Sequence, residues 1–85
     1  MRYKIEVRKS AEKALRNMDQ KNRQYVYQKL LELADNPQGL KCEKLRGFDN
    51  GYRKVAWPYR ILYTIDDTKK IVDVYKIAHR KEGYR

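Results

Sequence analysis

With 85 residues, 41% of them hydrophobic, the chain can form one modest core, and we expect a single domain over residues 1–85. The chain has 21 Lys and Arg against 11 Asp and Glu, which gives a net charge of +10. Such a charge is typical of proteins that bind a polyanion; the alternative is a charged surface that only keeps the protein soluble. One Cys and one His exclude an internal disulfide and predict no metal and no cofactor, and the lack of a long apolar run or signal-peptide core predicts a cytoplasmic protein without a membrane partner.

The first part of the chain predicts one strand and a helical hairpin. Residues 3–7 alternate apolar and charged side chains, which is the two-residue period of a half-buried strand. Ser10 fits the N-cap of a first helix and Asp19 that of a second, because both side chains can accept hydrogen bonds from a first helical turn. Apolar residues at helical spacing follow each cap, and the segment 36–39, Asn-Pro-Gln-Gly, ends the second helix.

The second part of the chain predicts mostly strands. Residues 40–51 are interpreted as an extended or looped segment, and three strands follow it, at 52–57, 59–65 and 71–77. Pro58 and the segment 66–69 supply the turns, which are short and therefore favour antiparallel neighbours. We predict an α+β fold of order β-α-α-β-β-β, with the helical hairpin packed on one face of a small, mainly antiparallel sheet.

Arginines and aromatic residues interleave in these strands. Alternation puts Arg53 and Arg60 on a shared face if their strands are neighbours, and the last strand leads His79 and Arg80 to its edge. Arginine suits RNA phosphate, and an aromatic ring can stack on a base. When a ribose 2′-OH attacks the adjacent phosphate, fixed guanidinium groups can hold the developing charge without a metal. The candidate proton carriers are His79, Lys54 and a perturbed Arg or Tyr.

Each of these residues also has a structural interpretation, which stays open at this stage. Arg53 can be a solvated strand residue, and Arg60 can be a paired structural cation. His79 can be an ordinary surface histidine. Tyr84 stands next to the last residue of the sequence, where side chains are often poorly ordered.

Five segments in order carry a family resemblance: the helical hairpin ending at Asn36-Pro37, then 44–47 (KLRG), 52–53 (YR), 59–66 (YRILYTID) and 77–85 (IAHRKEGYR). Together they resemble the RelE/ParE toxin family, and specifically its RelE branch, over almost the whole sequence. The ordered series is more specific than any one segment.

The resemblance implies a RelE-like fold and a ribosome-dependent, metal-independent endoribonuclease. Such toxins cleave mRNA in the ribosomal A site, with the 2′-OH as nucleophile, and a cognate RelB-like antitoxin blocks them. By position, Arg53 corresponds to a phosphate contact, Arg60 to the arginine that stabilises transition-state charge, and Arg80 to the general acid. Tyr84 corresponds to a tyrosine that positions or stacks on the substrate. The residues expected to bind ribosomal or messenger RNA are Lys44, Arg46, Lys81 and Arg85.

The sequence departs from the family at one catalytic position. The family often carries its general base two positions after the residue that corresponds to Arg53, where this chain has Val55. Lys54 is adjacent but is predicted to point to the other face unless a β-bulge re-aims it, and His79 could supply the base instead. The departure keeps two alternatives open: a ParE-like inhibitor of DNA gyrase without nuclease activity, and a basic RNA-binding module without toxicity.

Overall fold

The computed structural model describes residues 2–47 and 51–82. Within these residues, two helices and five strands form in the predicted order, with one short strand added inside the segment that was expected to be extended or looped. The elements are β1 (Lys4–Val7), α1 (Lys9–Arg16), α2 (Gln20–Asp35), β2 (Cys42–Lys44), β3 (Gly51–Ala56), β4 (Tyr59–Asp66), β5 (Ile71–His79) and a closing 3₁₀ helix (Arg80–Glu82).

All five strands belong to one sheet, in the order β1-β5-β4-β3-β2. Strands β2 to β5 are antiparallel neighbours, whereas β1 lies parallel to β5. The two-residue turn 57–58 fixes the register of β3 on β4, because Ala56 pairs directly with Tyr59. The prediction of an α+β fold with a mainly antiparallel sheet is confirmed.

Both helices pack their apolar stripes against one face of this sheet. The core joins Leu15 of α1 and Leu33 of α2 to strand residues that include Ile61 and Val74. Since side chains alternate along a strand, the residues between these core positions point away from the helices. The fold therefore leaves a second sheet face that carries no helix in the described ranges.

Two helix starts were predicted, and one of them differs from the structure. Asp19 caps α2 as predicted, since its carboxylate accepts a 2.8 Å hydrogen bond from the backbone N–H of Asn22. Ser10 instead lies inside α1, whose N-cap is Arg8. The Ser10 hydroxyl donates to the Tyr75 carbonyl at 2.8 Å, beyond the point where β1 stops pairing with β5. The Ser10 hydroxyl therefore bonds to a distant carbonyl on β5 and does not cap a helix.

Tyr63 connects the sheet to the loop after α2. Its side chain is 0% exposed, and its hydroxyl donates to the Pro37 carbonyl at 2.5 Å. We expect Tyr63→Phe to lower the free energy of unfolding by about 1–2 kcal/mol, because the buried carbonyl loses its partner. Urea unfolding of both proteins measures this difference, and Tyr27→Phe, a change on an exposed tyrosine, should leave it unchanged. An equal stability of Tyr63→Phe and wild type would contradict the assignment.

Within the described ranges, no helix combines the length and the apolar character needed to cross a lipid bilayer.

Candidate functional site

The sheet face opposite the helices brings two of the predicted arginines together. In the pairing of β3 with β4, Arg53 stands opposite Leu62 and Val55 stands opposite Arg60, so all four side chains share one face. The same pairing makes Arg53 and Arg60 diagonal neighbours, at a spacing of about 7–8 Å along the sheet. We call this surface, with Ala78 of β5 opposite Arg60, the arginine face. The predicted sharing of a face by these two residues is confirmed.

Arg60 occupies the middle of the arginine face. It lies between Val55 on β3 and Ala78 on β5, and its Nε and Nη1 atoms each expose less than 1 Å². A charge that is held away from bulk water is screened less, so it acts more strongly on a nearby anion. Arg60 is consequently the fixed positive centre of this surface.

Arg53 carries an acidic neighbour that sequence analysis missed. Glu43 of β2 stands opposite Arg53, and the Arg53 Nε donates to Glu43 Oε1 at 3.0 Å. The side chains of Arg53 and Glu43 are 36% and 56% exposed, so the pair faces solvent and adds about 0.2–1 kcal/mol to stability. The pair leaves other Arg53 donors for a ligand and places a carboxylate on the arginine face. Only the register of β2 on β3 reveals Glu43, because its three-residue strand has no clear pattern of its own.

Arg80 lies at the end of the sheet where β3 turns into β4. Its backbone N–H donates to the Pro58 carbonyl at 2.9 Å, and its guanidinium carbon lies 5.0 Å from the centre of the Trp57 ring. Since Arg60 follows Pro58 by only two residues, the third predicted arginine is at the same end of the sheet as the second. The structure thus places Arg80 beside the turn that joins β3 to β4, the two strands that carry Arg53 and Arg60.

His79 belongs to the opposite side of the sheet. It pairs with Tyr59, and the two rings meet edge to face with centroids 5.2 Å apart. Its Nδ1 accepts the backbone N–H of Lys81 at 3.1 Å, and the residue lines a cavity of about 470 Å³ beside α1. Because consecutive strand residues point to opposite faces, His79 is separated from the arginine face to which its neighbour Ala78 belongs. This geometry does not support the predicted part of His79 in catalysis.

Lys54 is a structural cation on the helix-covered face. Its side chain is 3% exposed, and its Nζ contacts Glu32 Oε1 at 3.0 Å and donates to the Leu40 carbonyl at 2.9 Å. The pairing of β3 with β4 is continuous from Gly51 to Ala56, so no bulge in β3 turns Lys54 toward Arg53. The register shift in this sheet lies elsewhere, in the pairing of β4 with β5. Lys54 therefore links the sheet to α2, and its predicted role as a proton carrier has no geometric support.

The Lys54–Glu32 ion pair should make the free energy of unfolding depend on pH. The hydrogen bond from Lys54 holds the pKa of Glu32 below its ordinary value of 4.5. The contribution of the ionised Glu32 carboxylate to the free energy of unfolding is therefore complete at neutral pH. It is lost as the pH falls through the folded-state pKa of Glu32. We expect Glu32→Gln to cost about 0.2–1 kcal/mol at neutral pH, because the carboxylate is 49% exposed, and progressively less in acid, as judged by urea unfolding. Glu6→Gln, which removes an exposed carboxylate 3.8 Å from Lys4, is the matched control; an unchanged difference down to strongly acidic pH would contradict this role.

The remaining predicted RNA-binding residues are only partly described. Lys44, Arg46 and Lys81 are exposed, the first two in and just after β2 and the third in the 3₁₀ helix. Tyr84 and Arg85 lie outside the described residues. Lys44 stands opposite Tyr52, which packs against the core, so alternation assigns Lys44 to the helix-covered side of the sheet and not to the face of Arg53.

Solved RelE toxins share this fold. In a RelE–RelB complex from Pyrococcus horikoshii, one chain matches with a TM-score of 0.82 at 22% identity, over 94% of this chain and 97% of that chain. A mutant of E. coli RelE in the free state matches with a TM-score of 0.79 at 27% identity, over 98% and 88%. A chain of the intact E. coli RelBE toxin–antitoxin complex gives 0.77 at 28% identity, over 91% and 95%.

The sequence itself matches one protein family across nearly its full length. Comparison with curated proteins gives no match. The family described as "ParE toxin of type II toxin-antitoxin system, parDE" matches residues 5–84. With the helical hairpin, the sheet order and the likeness to RelE toxins, this match confirms the resemblance that the motifs indicated: the chain belongs to the RelE/ParE family of toxins from type II toxin–antitoxin systems.

Proposed function

We propose that this toxin is an endoribonuclease that cleaves mRNA in the A site of the ribosome without a metal ion. The observation that supports it best is the gathering of Arg53 and Arg60 on one sheet face, with Arg80 at the end of that face. Two guanidinium groups that are diagonal neighbours can hold one phosphate and its developing charge, and Arg80 at the adjacent turn can add a third. The exposed Lys44, Arg46 and Lys81 would then contact ribosomal RNA.

The proposed reaction is a transesterification within the mRNA backbone. The 2′-oxygen bonds to the adjacent phosphorus while the bond from phosphorus to the 5′-oxygen breaks, which leaves a 2′,3′-cyclic phosphate and a 5′-hydroxyl. Arg60, the least solvated of the three, stabilises the charge on the non-bridging oxygens, and Arg53 fixes the phosphate. Arg80 gives a proton to the departing 5′-oxygen, in the role that its position in the family implies.

A proton must also leave the attacking 2′-OH, and Glu43 is our candidate acceptor. Val55 occupies the position where the family often has a base, and Lys54 and His79 lie on the other face. Glu43 stands on the arginine face, where its carboxylate is exposed and adjacent to the phosphate-binding Arg53. A carboxylate in this place can take the proton and be held in position by the guanidinium beside it.

Mapping of mRNA ends after brief induction tests the nuclease proposal. We expect new ends inside translated codons positioned in the A site, together with growth arrest. Arrest with intact A-site codons would refute the proposal.

The description of the matching family as ParE toxins supports one alternative activity, inhibition of DNA gyrase. A toxin that inhibits DNA gyrase shares the fold and needs no catalytic residues, and Val55 is compatible with it. Gyrase-dependent DNA cleavage in a purified reaction, without mRNA cleavage, would decide for this alternative.

We also propose a RelB-like antitoxin as the partner of this chain. The similar toxins from P. horikoshii and E. coli were solved with RelB, and a domain of charge +10 suits an acidic, partly helical chain that wraps it. Co-expression with the neighbouring open reading frame should yield a complex whose mass gives the stoichiometry. A toxin that purifies alone under these conditions would count against this partner.

A further inference from the structure

Trp57 exposes a large ring at the end of the arginine face. It is the only tryptophan of the chain, it is 56% exposed, and it forms the turn between β3 and β4 with Pro58. The core at this end of the sheet is closed by its neighbour Ala56, which is 1% exposed, so the fold does not need the indole for burial. A single exposed apolar residue has no meaning by itself, and the case for Trp57 rests on what lies against it.

Arg80 covers part of this ring. Its guanidinium carbon is 5.0 Å from the ring centre, which is the distance of a cation–π contact, and its backbone N–H donates to Pro58 at 2.9 Å. The 3₁₀ helix is therefore attached to the turn by a backbone bond and by a side-chain stack. A planar cation on an indole forms a two-layer surface of fixed orientation, with the rest of the ring in solvent.

The position of this stack fits a nucleotide that is bound at Arg60. Trp57 follows Val55 by two residues along the chain, and Val55 stands opposite Arg60. Two residues of extended chain span at most roughly 7 Å, so the α-carbon of Trp57 lies within about that distance of the α-carbon of Val55, the residue opposite Arg60. Within one nucleotide, the base and the phosphate are separated by a comparable distance.

We propose that Trp57 and Arg80 form a subsite for a nucleobase of single-stranded RNA, next to the phosphate held by Arg60. The inference deepens the proposed nuclease function and rests on it for the identity of the ligand. Bases stack on aromatic rings and on guanidinium planes with little regard to sequence, so the subsite selects an unpaired base rather than one particular base. It also gives Arg80 a fixed place beside the scissile phosphate.

The single tryptophan reports directly on the subsite. The protein is titrated with a short single-stranded RNA whose riboses are 2′-O-methylated, so that it binds without 2′-OH attack. We expect saturable quenching of Trp57 emission. We also expect Trp57→Ala to bind the same labelled RNA roughly fivefold to a hundredfold more weakly, which is the range for losing one stacked base, and Trp57→Phe to retain most of the affinity.

Two controls separate stacking from a structural effect. Tyr27→Ala removes an exposed aromatic ring from α2, far from the arginine face, and should not change RNA affinity. An RNA of the same length with abasic sites should bind to wild type and to Trp57→Ala equally, because only the base is lost from the contact. Equal weakening of Trp57→Ala on both RNAs would overturn the subsite, and so would unquenched emission at saturating RNA.

The result is independent of cleavage. Quenching and base-dependent loss of affinity in a protein that leaves mRNA intact would support the subsite and refute the nuclease. Cleavage of mRNA by a protein whose Trp57→Ala variant binds as wild type would refute the subsite alone.

Discussion

Replacement of Arg60 by Ala should lower the rate of mRNA cleavage by about 10²–10³-fold, the usual loss when one fixed donor to a developing oxyanion is removed. The physical reason is the position of Arg60 between Val55 and Ala78, where its guanidinium is largely withdrawn from water. Neither Arg53 nor Arg80 takes the position of Arg60 between β3 and β5, because Arg53 is held by Glu43 of β2 and Arg80 is held by Trp57. The measurement is single-turnover cleavage of mRNA on programmed ribosomes.

Variants that keep part of Arg60 make this prediction specific. Arg60→Lys retains the charge but loses the planar fork of donors, so we expect an intermediate rate. Arg16→Ala removes an exposed arginine of α1 and should cleave as wild type. Thermal unfolding identifies any variant that has lost its fold, in which case Arg60→Lys carries the comparison. Growth arrest as strong as wild type in a folded Arg60→Ala protein, at matched expression, would contradict the role of Arg60.

The meeting of Arg53 and Arg60 could be predicted because local rules determine it. Each residue lies in a strand with clear alternation, and a turn of two residues leaves one register for the hairpin. Once Ala56 pairs with Tyr59, the face of every residue in both strands is determined. The fold class followed in the same way, since two amphipathic helices need one sheet face to cover them.

Residues whose environment depends on distant partners could not be predicted from the sequence. The sequence pattern around Lys54 does not distinguish a lysine that binds RNA from a buried one. The structure shows a buried lysine, because Lys54 forms an ion pair with Glu32 on α2. Ser10 had an unforeseen acceptor on β5. His79 was grouped with Arg80 because they are adjacent in sequence, although alternation along β5 assigns His79 to the face of Tyr59. For Lys54 and Ser10 a tertiary contact overrode a sound local pattern, whereas for His79 the local alternation along β5 already gave the face that the structure shows.

Glu43 shows the converse, a residue without any sequence signal that the sheet brings into the site. Its strand has three residues, and its neighbours Cys42 and Lys44 give no clear alternation. Only the pairing of β2 with β3 sets its carboxylate beside Arg53. The general base that Val55 cannot supply can therefore come from the neighbouring strand β2. Arg53 would then contact the phosphate and also hold the Glu43 carboxylate in position.

Replacement of Glu43 by Gln should lower the single-turnover cleavage rate by about 10²-fold or more, which is the typical contribution of a general base. The side chain keeps its shape but can no longer accept the proton of the 2′-OH. Because the Arg53–Glu43 pair is exposed, its loss should leave the free energy of unfolding nearly unchanged.

Two comparisons distinguish proton transfer from mere positioning of Arg53. Glu43→Gln should bind 2′-O-methylated RNA at least as well as wild type, since a negative charge has left the arginine face, whereas Arg53→Ala should bind it more weakly. Glu12→Gln, which removes an exposed carboxylate that pairs with Arg16 on α1, should cleave normally. A rate within twofold of wild type for Glu43→Gln would eliminate Glu43 as the base. A rate loss matched by an equal loss of RNA affinity would reduce its role to holding Arg53 in place.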